Sequence, residues 1–382
     1  MEAEQPVEDA TPRGASQEQL AGGEAAASDI LIGTDRAAGL VTLNRPAVLN
    51  ALTLAMRADI ARAFPTWGRN PEIYAVVIAS TSERAFSAGG DLRELTGWGR
   101  DNRAEAVRSL AEEYTLSWLL ECFTKPTVSL IGGVVMGSGV GISLYGTHRV
   151  AGERYRFAMP ETGIGLFPDV GASWAFARMP DAVGMYLALT GRAIGRADAY
   201  RLGLATHCIP AARFREIRAG LADADTVDEL LDDRHEDPGP GELEAVRGII
   251  ARCFAQDTVE GIVDRLQAEH GAAAEWAQGV VKHLAGRSPT SLKIAHRLVQ
   301  LARDLDLRET LILDFRLACR CLEGEDLYEG VRAVLIDRDQ APKWKPARLE
   351  DVSAAMVEAY FASLGPGELA LPSRARMQAF GS

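Results

Sequence analysis

Apolar runs typical of buried strands alternate with helix-like periodic segments up to about residue 210. The strand-like runs are ILIGTD (30–35), GLVTLN (39–44), IYAVVIAS (73–80), PTVSLIG (126–132), HRVAG (148–152), YRFAM (155–159) and ATHCIP (205–210). The first two flank a short polar turn and predict a hairpin. Met56, Ile60 and Phe64 repeat at helical spacing after Thr53, which can cap the helix. Further helices are predicted at 103–123, 172–178, 182–190 and 196–203.

The pattern changes after Pro210, where strand-like runs almost vanish and helical periodicity dominates 214–364. Strands alternating with helices favour parallel pairing and an α/β layer architecture. We therefore predict an α/β core at 29–211 and a helical C-terminal region at 212–364, interrupted by the acidic linker 232–242. We expect an acidic, disordered tail at 1–28 and a C-terminal tail at 365–382, of which the last residues, 375–382, are frayed.

The bulk composition excludes several classes of protein. Hydrophobic residues make up 47% and charged residues 25% of the 382 residues, as in ordinary globular proteins. The net charge of −12 argues against nucleic acid as a partner, and no run is apolar enough to span a membrane. The acidic segment 1–28 resembles neither a secretory signal nor an Arg-rich transit peptide, which predicts a cytoplasmic protein. Five cysteines without a C-x-x-C pair are expected to be reduced, buried thiols.

Two glycine-rich turns have the character of ligand-facing loops. They are AFSAGGDL (85–92) and GGVVMGSGVG (132–141), each close to a predicted strand. Glycine permits close backbone approach, and two such turns together can point two N–H donors at one oxyanion. Tight packing turns are the alternative for either loop alone. Neither G-x-G-x-x-G nor G-x-S-x-G is present in them, so dinucleotide binding and a serine nucleophile are unsupported.

The segment MPETGIGLFPDVG (159–171) places two carboxylates, Glu161 and Asp169, among apolar residues. They are either a catalytic pair or helix-capping and turn acids. Because a carboxylate among apolar neighbours loses solvation, we expect at least one of the two to titrate abnormally. The six histidines lack metal-ligand spacing, and we predict no metal site.

The ordered set of LNRPAVLNAL (43–52), AFSAGGDL, KPTVSLIGGVVMGSGVG (125–141) and FAMPETGIGLFPDVGASW (157–174) resembles the crotonase (enoyl-CoA hydratase/isomerase) superfamily. Within it, the chain is most similar to 3-hydroxyisobutyryl-CoA hydrolases, through MPETGIGLFPDVG, SPTSLKI (288–294), DLYEGVRAVLIDRDQAPKWKP (326–346) and ELALP (368–372). The resemblance implies a spiral of ββα turns followed by the helical region. It also implies an acyl-CoA substrate, no cofactor beyond that CoA, and conversion of 3-hydroxyisobutyryl-CoA to 3-hydroxyisobutyrate in valine catabolism. Whether the protein forms a homo-oligomer is left open.

The resemblance also assigns residues. It implies an oxyanion hole made by the backbone N–H groups of Ala88 and Ser138. Glu161 and Asp169 are the implied catalytic pair. The implied substrate-binding residues are Glu113, Gly89, Gly90 and Asp91. Two positions depart from the family pattern: Ser138 stands where many relatives have glycine, and Ala47 where relatives often have a lysine that contacts CoA phosphate. Arg45 is either a substitute for that lysine or a solvated turn residue.

One further departure bears on the reaction. Hydratases of the superfamily use two glutamates, and the position of the first is Gly141 here, whereas the second is Glu161. Asp169 stands where hydratases have a small residue. Loss of one acid and gain of another favour thioester hydrolysis, with the separate roles of Glu161 and Asp169 left open. The alternatives are an enoyl-CoA hydratase or isomerase, and a non-catalytic acyl-CoA-binding protein of the same fold.

Overall fold

The computed structural model describes residues 28–381, so the predicted tail at 1–28 lies almost wholly outside the described residues. Within this range the chain forms ten strands, β1–β10, at Ile30–Asp35, Ala38–Leu43, Ala75–Ser80, Ala85–Ser87, Thr127–Ile131, Val134–Met136, His148–Ala151, Arg156–Ala158, Ile194–Gly195 and His207–Cys208. Each strand-like run of the sequence contains a strand. The predicted hairpin is confirmed, because β1 and β2 pair antiparallel.

The same range contains seventeen α-helices, α1–α17. They span Leu54–Arg69, Leu92–Asp101, Arg103–Cys122, Ser138–Gly141, Ala172–Ala177, Val183–Thr190, Arg196–Arg201, Phe214–Ala222, Val227–Asp232, Arg247–Phe254, Val259–Gln267, Ala274–Ala285, Pro289–Leu301, Leu307–Cys321, Asp326–Val331, Ala354–Phe361 and Arg374–Gly381. The Thr53 side chain accepts a hydrogen bond from Met56 N at the start of α1, as the sequence predicts. A π-helical turn, Arg332–Ile336, follows α15.

Two sheets form a spiral. The larger has the strand order β1-β2-β3-β5-β7-β10, and the smaller has the order β4-β6-β8-β9. Successive strand pairs, β3 and β4, β5 and β6, β7 and β8, each place one strand in each sheet before the chain enters a helical segment. The predicted spiral of ββα turns with a helical C-terminal region is confirmed.

A continuous apolar core joins the spiral to the helical region. It includes Phe64 and Tyr114 from the spiral and Leu311 and Leu317 from α14, all of them buried. The boundary between the α/β core and the helical region, at 211/212, stays a prediction.

No helix among the described residues has both the length and the apolar character needed to cross a membrane. All five cysteines are buried and unpaired, as expected.

The C-terminal segment differs from the frayed tail that the sequence predicts. Helix α17 packs against α1 and α3, and Leu371 and Met377 are buried. Trp118 Nε1 donates a 2.9 Å hydrogen bond to the Pro372 carbonyl oxygen. The short, polar sequence near the end gives little sign of this docking, because the apolar surface that receives it lies far away in the chain.

Candidate active site

All eight residues that the resemblance assigns to the site line one cavity of about 270 Å³. They are Ala88, Gly89, Gly90, Asp91, Glu113, Ser138, Glu161 and Asp169. The topology explains why three of the segments meet. Strands β4, β6 and β8 are parallel neighbours, so the turns that follow them emerge at one edge of the small sheet. Helix α3 and the turn before α5 supply Glu113 and Asp169.

The turn after β6 holds Glu161 close to one predicted oxyanion donor. Gly137 has φ +46°, and a Cβ atom there would lie 3.0 Å from Glu161 Oε1. Only glycine combines this backbone conformation with such a close carboxylate. The next residue, Ser138, begins α4, and its N–H has no acceptor within residues 28–381. A free donor and a carboxylate therefore lie side by side at this turn.

The other predicted donor is already engaged. Ala88 N–H donates a 2.9 Å hydrogen bond to the Leu49 carbonyl oxygen. A substrate oxygen at this position would share the N–H group with Leu49 in a three-centre bond. Of the two predicted donors, that of Ser138 alone has no acceptor within residues 28–381.

The Ser138 side chain, which departs from the family pattern, is tied to Glu113. Its Oγ donates a hydrogen bond to Glu113 Oε1, while Glu113 Oε2 lies 3.3 Å from Arg57 Nη1. A Cβ atom at Gly90 would lie 2.8 Å from Ser138 Oγ, so Gly90 leaves room for the hydroxyl. Glu113 is thus a buried, paired carboxylate at the cavity wall. Arg57, which the sequence reasoning missed, also donates a 2.6 Å hydrogen bond to Ser109 Oγ.

Asp91 lines the cavity, but its two carboxylate oxygens have structural partners. Oδ2 lies 2.8 Å from Arg45 Nη1, and Oδ1 accepts from Glu94 N at the start of α2. Burial raises the pKa of Asp91, but the hydrogen bonds from Arg45 and the α2 amide outweigh it, so the pKa is lowered. Arg45 is also paired with Asp29. It is therefore neither a solvated turn residue nor a free replacement for the lysine absent at Ala47.

Glu161 has the environment of a chemically active acid. Its residue is only 6% exposed, and Oε2 is buried without a hydrogen-bond partner within the described residues. Burial raises the pKa of Glu161 well above its usual range, and the nearby charges of Asp169 and Glu113 raise it further. Glu161 lies at the first residue of a 3₁₀ turn and caps no helix.

Asp169 faces the same cavity and is half-buried. Burial and the charge of Glu113 raise the pKa of Asp169 to about 7, against the opposing effect of a hydrogen bond from Tyr114. Tyr114 Oη donates to Asp169 Oδ2 over 2.9 Å. The N-cap of α5 is Gly171, with no side-chain capping bond, so the capping alternative for Asp169 fails. The pKa of both acids is therefore raised above the usual carboxyl range, the direction that loss of solvation among apolar neighbours predicts.

The backbone turn that aims Asp169 is strained and held from both sides. Val170, a β-branched residue, has φ +50°. Its carbonyl oxygen accepts a 2.6 Å hydrogen bond from Tyr145 Oη, and Gly171 N donates over 2.7 Å to Asp314 Oδ2. These supporting residues were missed in the sequence because they lie on α14 and before β7, where no local motif marks them.

The position of the hydratase glutamate that is absent here, Gly141, is closed. A Cβ atom at Gly141 would lie 3.0 Å from both Ser117 Oγ and Val170 Cβ. Such contacts are tighter than normal packing, and a whole glutamate side chain needs far more room. Val170 therefore fills the space beside Gly141.

No group of three His, Cys, Asp or Glu residues among residues 28–381 is placed to hold a metal ion. Asp169 accepts a hydrogen bond from Tyr114, and Glu113 is paired with Arg57 and Ser138.

Comparison with known proteins agrees with this geometry. The enoyl-CoA hydratase/isomerase family model matches residues 38–361. A zebrafish (Danio rerio) protein named mitochondrial 3-hydroxyisobutyryl-CoA hydrolase is 40% identical over 91% of this chain and 92% of its own length. The human (Homo sapiens) protein of the same name is 38% identical over 90% of this chain and 91% of its own length.

Two solved structures share the fold and much of the sequence. One is titled a carnitinyl-CoA dehydratase from Mycobacterium thermoresistibile, with a TM-score of 0.84 and 36% identity over 90% of this chain and 98% of that chain. The other is titled an enoyl-CoA hydratase from Rhodobacter sphaeroides 2.4.1, with a TM-score of 0.84 and 37% identity over 90% of this chain and 100% of that chain.

The relatives correct one prediction. We expected a cytoplasmic protein from the acidic composition of residues 1–28. The zebrafish and human relatives are both named as mitochondrial, which contradicts that expectation. The prediction depended on the composition of one short segment, whereas the similarity to these relatives extends over about nine-tenths of the chain.

Proposed function

The chain belongs to the enoyl-CoA hydratase/isomerase family, and within it we propose that this protein hydrolyses the thioester bond of 3-hydroxyisobutyryl-CoA. One observation supports this reaction above the others. Glu161 and Asp169 line one cavity, where burial raises the pKa of both carboxyl groups, while the space at Gly141 is closed to a second hydratase glutamate.

The reaction adds water across the C–S bond. The thioester carbonyl becomes a carboxylic acid, and the CoA sulfur leaves as a thiolate that takes up a proton. In the proposed reaction, the Ser138 N–H donates to the oxygen that gains charge in the tetrahedral intermediate, and the Ala88 N–H is a shared second donor. Thiolate is a good leaving group, so the acids are needed chiefly for the attack on the carbonyl.

Glu161 is the group beside that donor, and its Oε2 has no hydrogen-bond partner to displace in the part of the chain that the structure describes. It acts either as the nucleophile, forming a mixed anhydride that water then hydrolyses, or as the base that removes a proton from attacking water. Both routes consume one water and return Glu161 to its starting state. Asp169, held by Tyr114, orients Glu161 or water, or binds the 3-hydroxyl of the acyl group.

Hydration of a double bond is the second candidate, because the two solved structures are titled dehydratase and hydratase. Syn addition of water needs one group to activate water and another to protonate the α-carbon. The closed position at Gly141 leaves no room for the side chain that supplies one of these two roles in hydratases.

A two-substrate assay separates the candidates. Purified protein is incubated with 3-hydroxyisobutyryl-CoA while free thiol is followed, and with crotonyl-CoA while enoyl absorbance is followed. We expect thiol release and no loss of enoyl absorbance. Hydration of crotonyl-CoA without thiol release would replace the proposal with the hydratase alternative, and saturable binding with neither reaction would support the non-catalytic acyl-CoA binder.

The proposal involves no cofactor beyond the CoA of the substrate. The place in valine catabolism, the absence of nucleic-acid and membrane partners, and the state of oligomerisation stay predictions.

A further inference from the structure

A second cavity, of about 430 Å³, is lined by four basic side chains, those of Arg192, Lys282, His283 and Arg287. It is separate from the active-site cavity, although Val334 contributes to the walls of both. Within residues 28–381, none of the four basic residues has a carboxylate in ion-pair contact. A cluster of uncompensated cations is unusual in a chain with a net charge of −12.

The guanidinium group of Arg287 is fixed in this cavity. A Cβ atom at Gly163 would lie 2.1 Å from Arg287 Nη1, so the glycine leaves the space that the side chain fills. His283 Nε2 lies 2.6 Å from the Thr190 carbonyl oxygen and donates to it when the ring is neutral. Arg287 Nη2 lies 2.9 Å from His283 Nε2 and 3.3 Å from His283 Nδ1, against the imidazole ring. Arg287 Nε is buried without a hydrogen-bond partner within the described residues.

Electrostatics set this cavity apart from the larger groove nearby. The groove, of about 1120 Å³, mixes Arg93, Arg100 and Arg332 with the acids Asp101 and Glu325. In the basic cavity, burial lowers the pKa of Arg287, and the charge of Arg192 lowers it further. Burial likewise lowers the pKa of His283, and the charges of Arg287 and Arg192 add to the effect. The positive charges of Arg192 and Arg287 repel one another, and an anion between them offsets that repulsion.

We infer that this cavity binds a phosphate group through Arg192, Lys282 and Arg287. The planar guanidinium of arginine offers paired N–H donors that match phosphate oxygens, and lysine adds a mobile point charge. The phosphate belongs either to the CoA of the substrate, in which case the inference rests on the proposed function, or to a free phosphate compound.

The cavity also contacts the turn that contains Glu161. Gly163 lines it, and Ser288 N, which follows Arg287, donates a 3.0 Å hydrogen bond to the Thr162 carbonyl oxygen. A bound phosphate therefore steadies the segment on which Glu161 lies.

Phosphate binding is tested without substrate by thermal denaturation in sodium phosphate and sodium pyrophosphate, against sodium chloride of equal ionic strength. We expect both phosphate salts to raise the Tm of the wild-type protein. The double variant Arg192→Gln/Lys282→Gln should lose that rise, because two of the cations are gone. The control Arg62→Gln removes an exposed arginine from α1 and should retain it. No phosphate-specific rise in the wild type, or an equal rise in the double variant, would overturn the inference.

Steady-state kinetics then identify the source of the phosphate. The wild type and the double variant are compared on 3-hydroxyisobutyryl-CoA and on the matching N-acetylcysteamine thioester, which has no phosphate. If CoA supplies the phosphate, KM rises roughly tenfold or more for the CoA ester alone, and CoA abolishes the Tm effect of added phosphate. If a free phosphate compound is the ligand, both KM values are unchanged and the Tm effect persists with CoA present. A lack of turnover on either ester would disprove the proposed function but leave the Tm result standing.

Discussion

Tyr114 Oη donates a hydrogen bond to Asp169 Oδ2 over 2.9 Å and so links helix α3 to the strained turn that begins at Asp169. This contact distinguishes Asp169 from a helix-capping acid, because the carboxylate points into the cavity instead of toward the first amides of α5. It also opposes the effect of burial on the Asp169 pKa.

Replacement Tyr114→Phe is expected to move the pH dependence of catalysis. The hydrogen bond stabilises the ionised Asp169, so its loss raises the pKa of that carboxyl above about 7. The acid limb of the kcat profile should therefore shift to higher pH, with a stability loss of about 1 kcal/mol. The matched control is Tyr145→Phe, whose hydroxyl bonds the Val170 carbonyl oxygen and no carboxylate. Equal profiles for the two variants would rule out this role of Tyr114.

Asp314 should make the fold less stable as pH rises. It is fully buried, and burial together with the charge of Asp169 raises the pKa of Asp314 well above its usual range. The folded state therefore keeps a proton that the unfolded chain releases near pH 4, and stability falls as pH rises above that value. Asp314→Asn should weaken the fall of Tm between pH 5 and pH 8, whereas the exposed control Asp304→Asn should not. A pH dependence unchanged by Asp314→Asn would contradict the assignment.

Because the space at Gly141 is closed, even a methyl group there should lower the free energy of unfolding. Its Cβ would lie 3.0 Å from Ser117 Oγ and Val170 Cβ, so Gly141→Ala should cost about 1–3 kcal/mol of unfolding free energy. Gly97→Ala on α2 is the control, because a Cβ there meets no atom within 4 Å. That substitution should be neutral or stabilising by up to about 1 kcal/mol. Urea denaturation measures both, and a tolerated Gly141→Ala would show that the site has room for a side chain.

The buried pair of Arg57 and Glu113 should show strong coupling. Their side chains are only 5% and 10% exposed and lie 3.3 Å apart. Arg57→Gln leaves a buried carboxylate without its cation and should cost about 3–5 kcal/mol. The double variant Arg57→Gln/Glu113→Gln should recover part of this loss, because no unpaired charge remains. Additive losses in denaturant unfolding would mean that the two residues do not interact.

The sequence predicted seven of the ten strands among the described residues, helices α1, α3, α5, α6 and α7, and the two glycine-rich turns that line the cavity. The hairpin, helix α3 and the turns after β4 and β6 are local patterns of apolar spacing and glycine, and the structure brings Ala88 and Ser138 to one cavity. The docked helix α17 was not predicted, because its stability comes from distant apolar partners.

The partners of the site residues were beyond prediction for the same reason. Tyr114 is one more apolar position in the periodicity of α3, and nothing in the sequence near it points to Asp169. Asp91 lies in the glycine-rich loop that the sequence predicts to line the cavity. Its carboxylate oxygens are nevertheless occupied by Arg45 and the amide of Glu94, which the sequence does not reveal. Pairing of this kind depends on three-dimensional contact, which local sequence does not encode.

Thiol release from 3-hydroxyisobutyryl-CoA by the wild type, Glu161→Gln and Asp169→Asn tests the paired-acid account most directly. Glutamine and asparagine keep the size of the acids but can neither remove a proton nor attack the carbonyl. We expect the kcat of Glu161→Gln to fall by about 10²–10⁴-fold. The kcat of Asp169→Asn should fall measurably, but by a smaller factor. Tm values close to that of the wild type would show that both variants are folded. Full activity in Glu161→Gln would contradict the account.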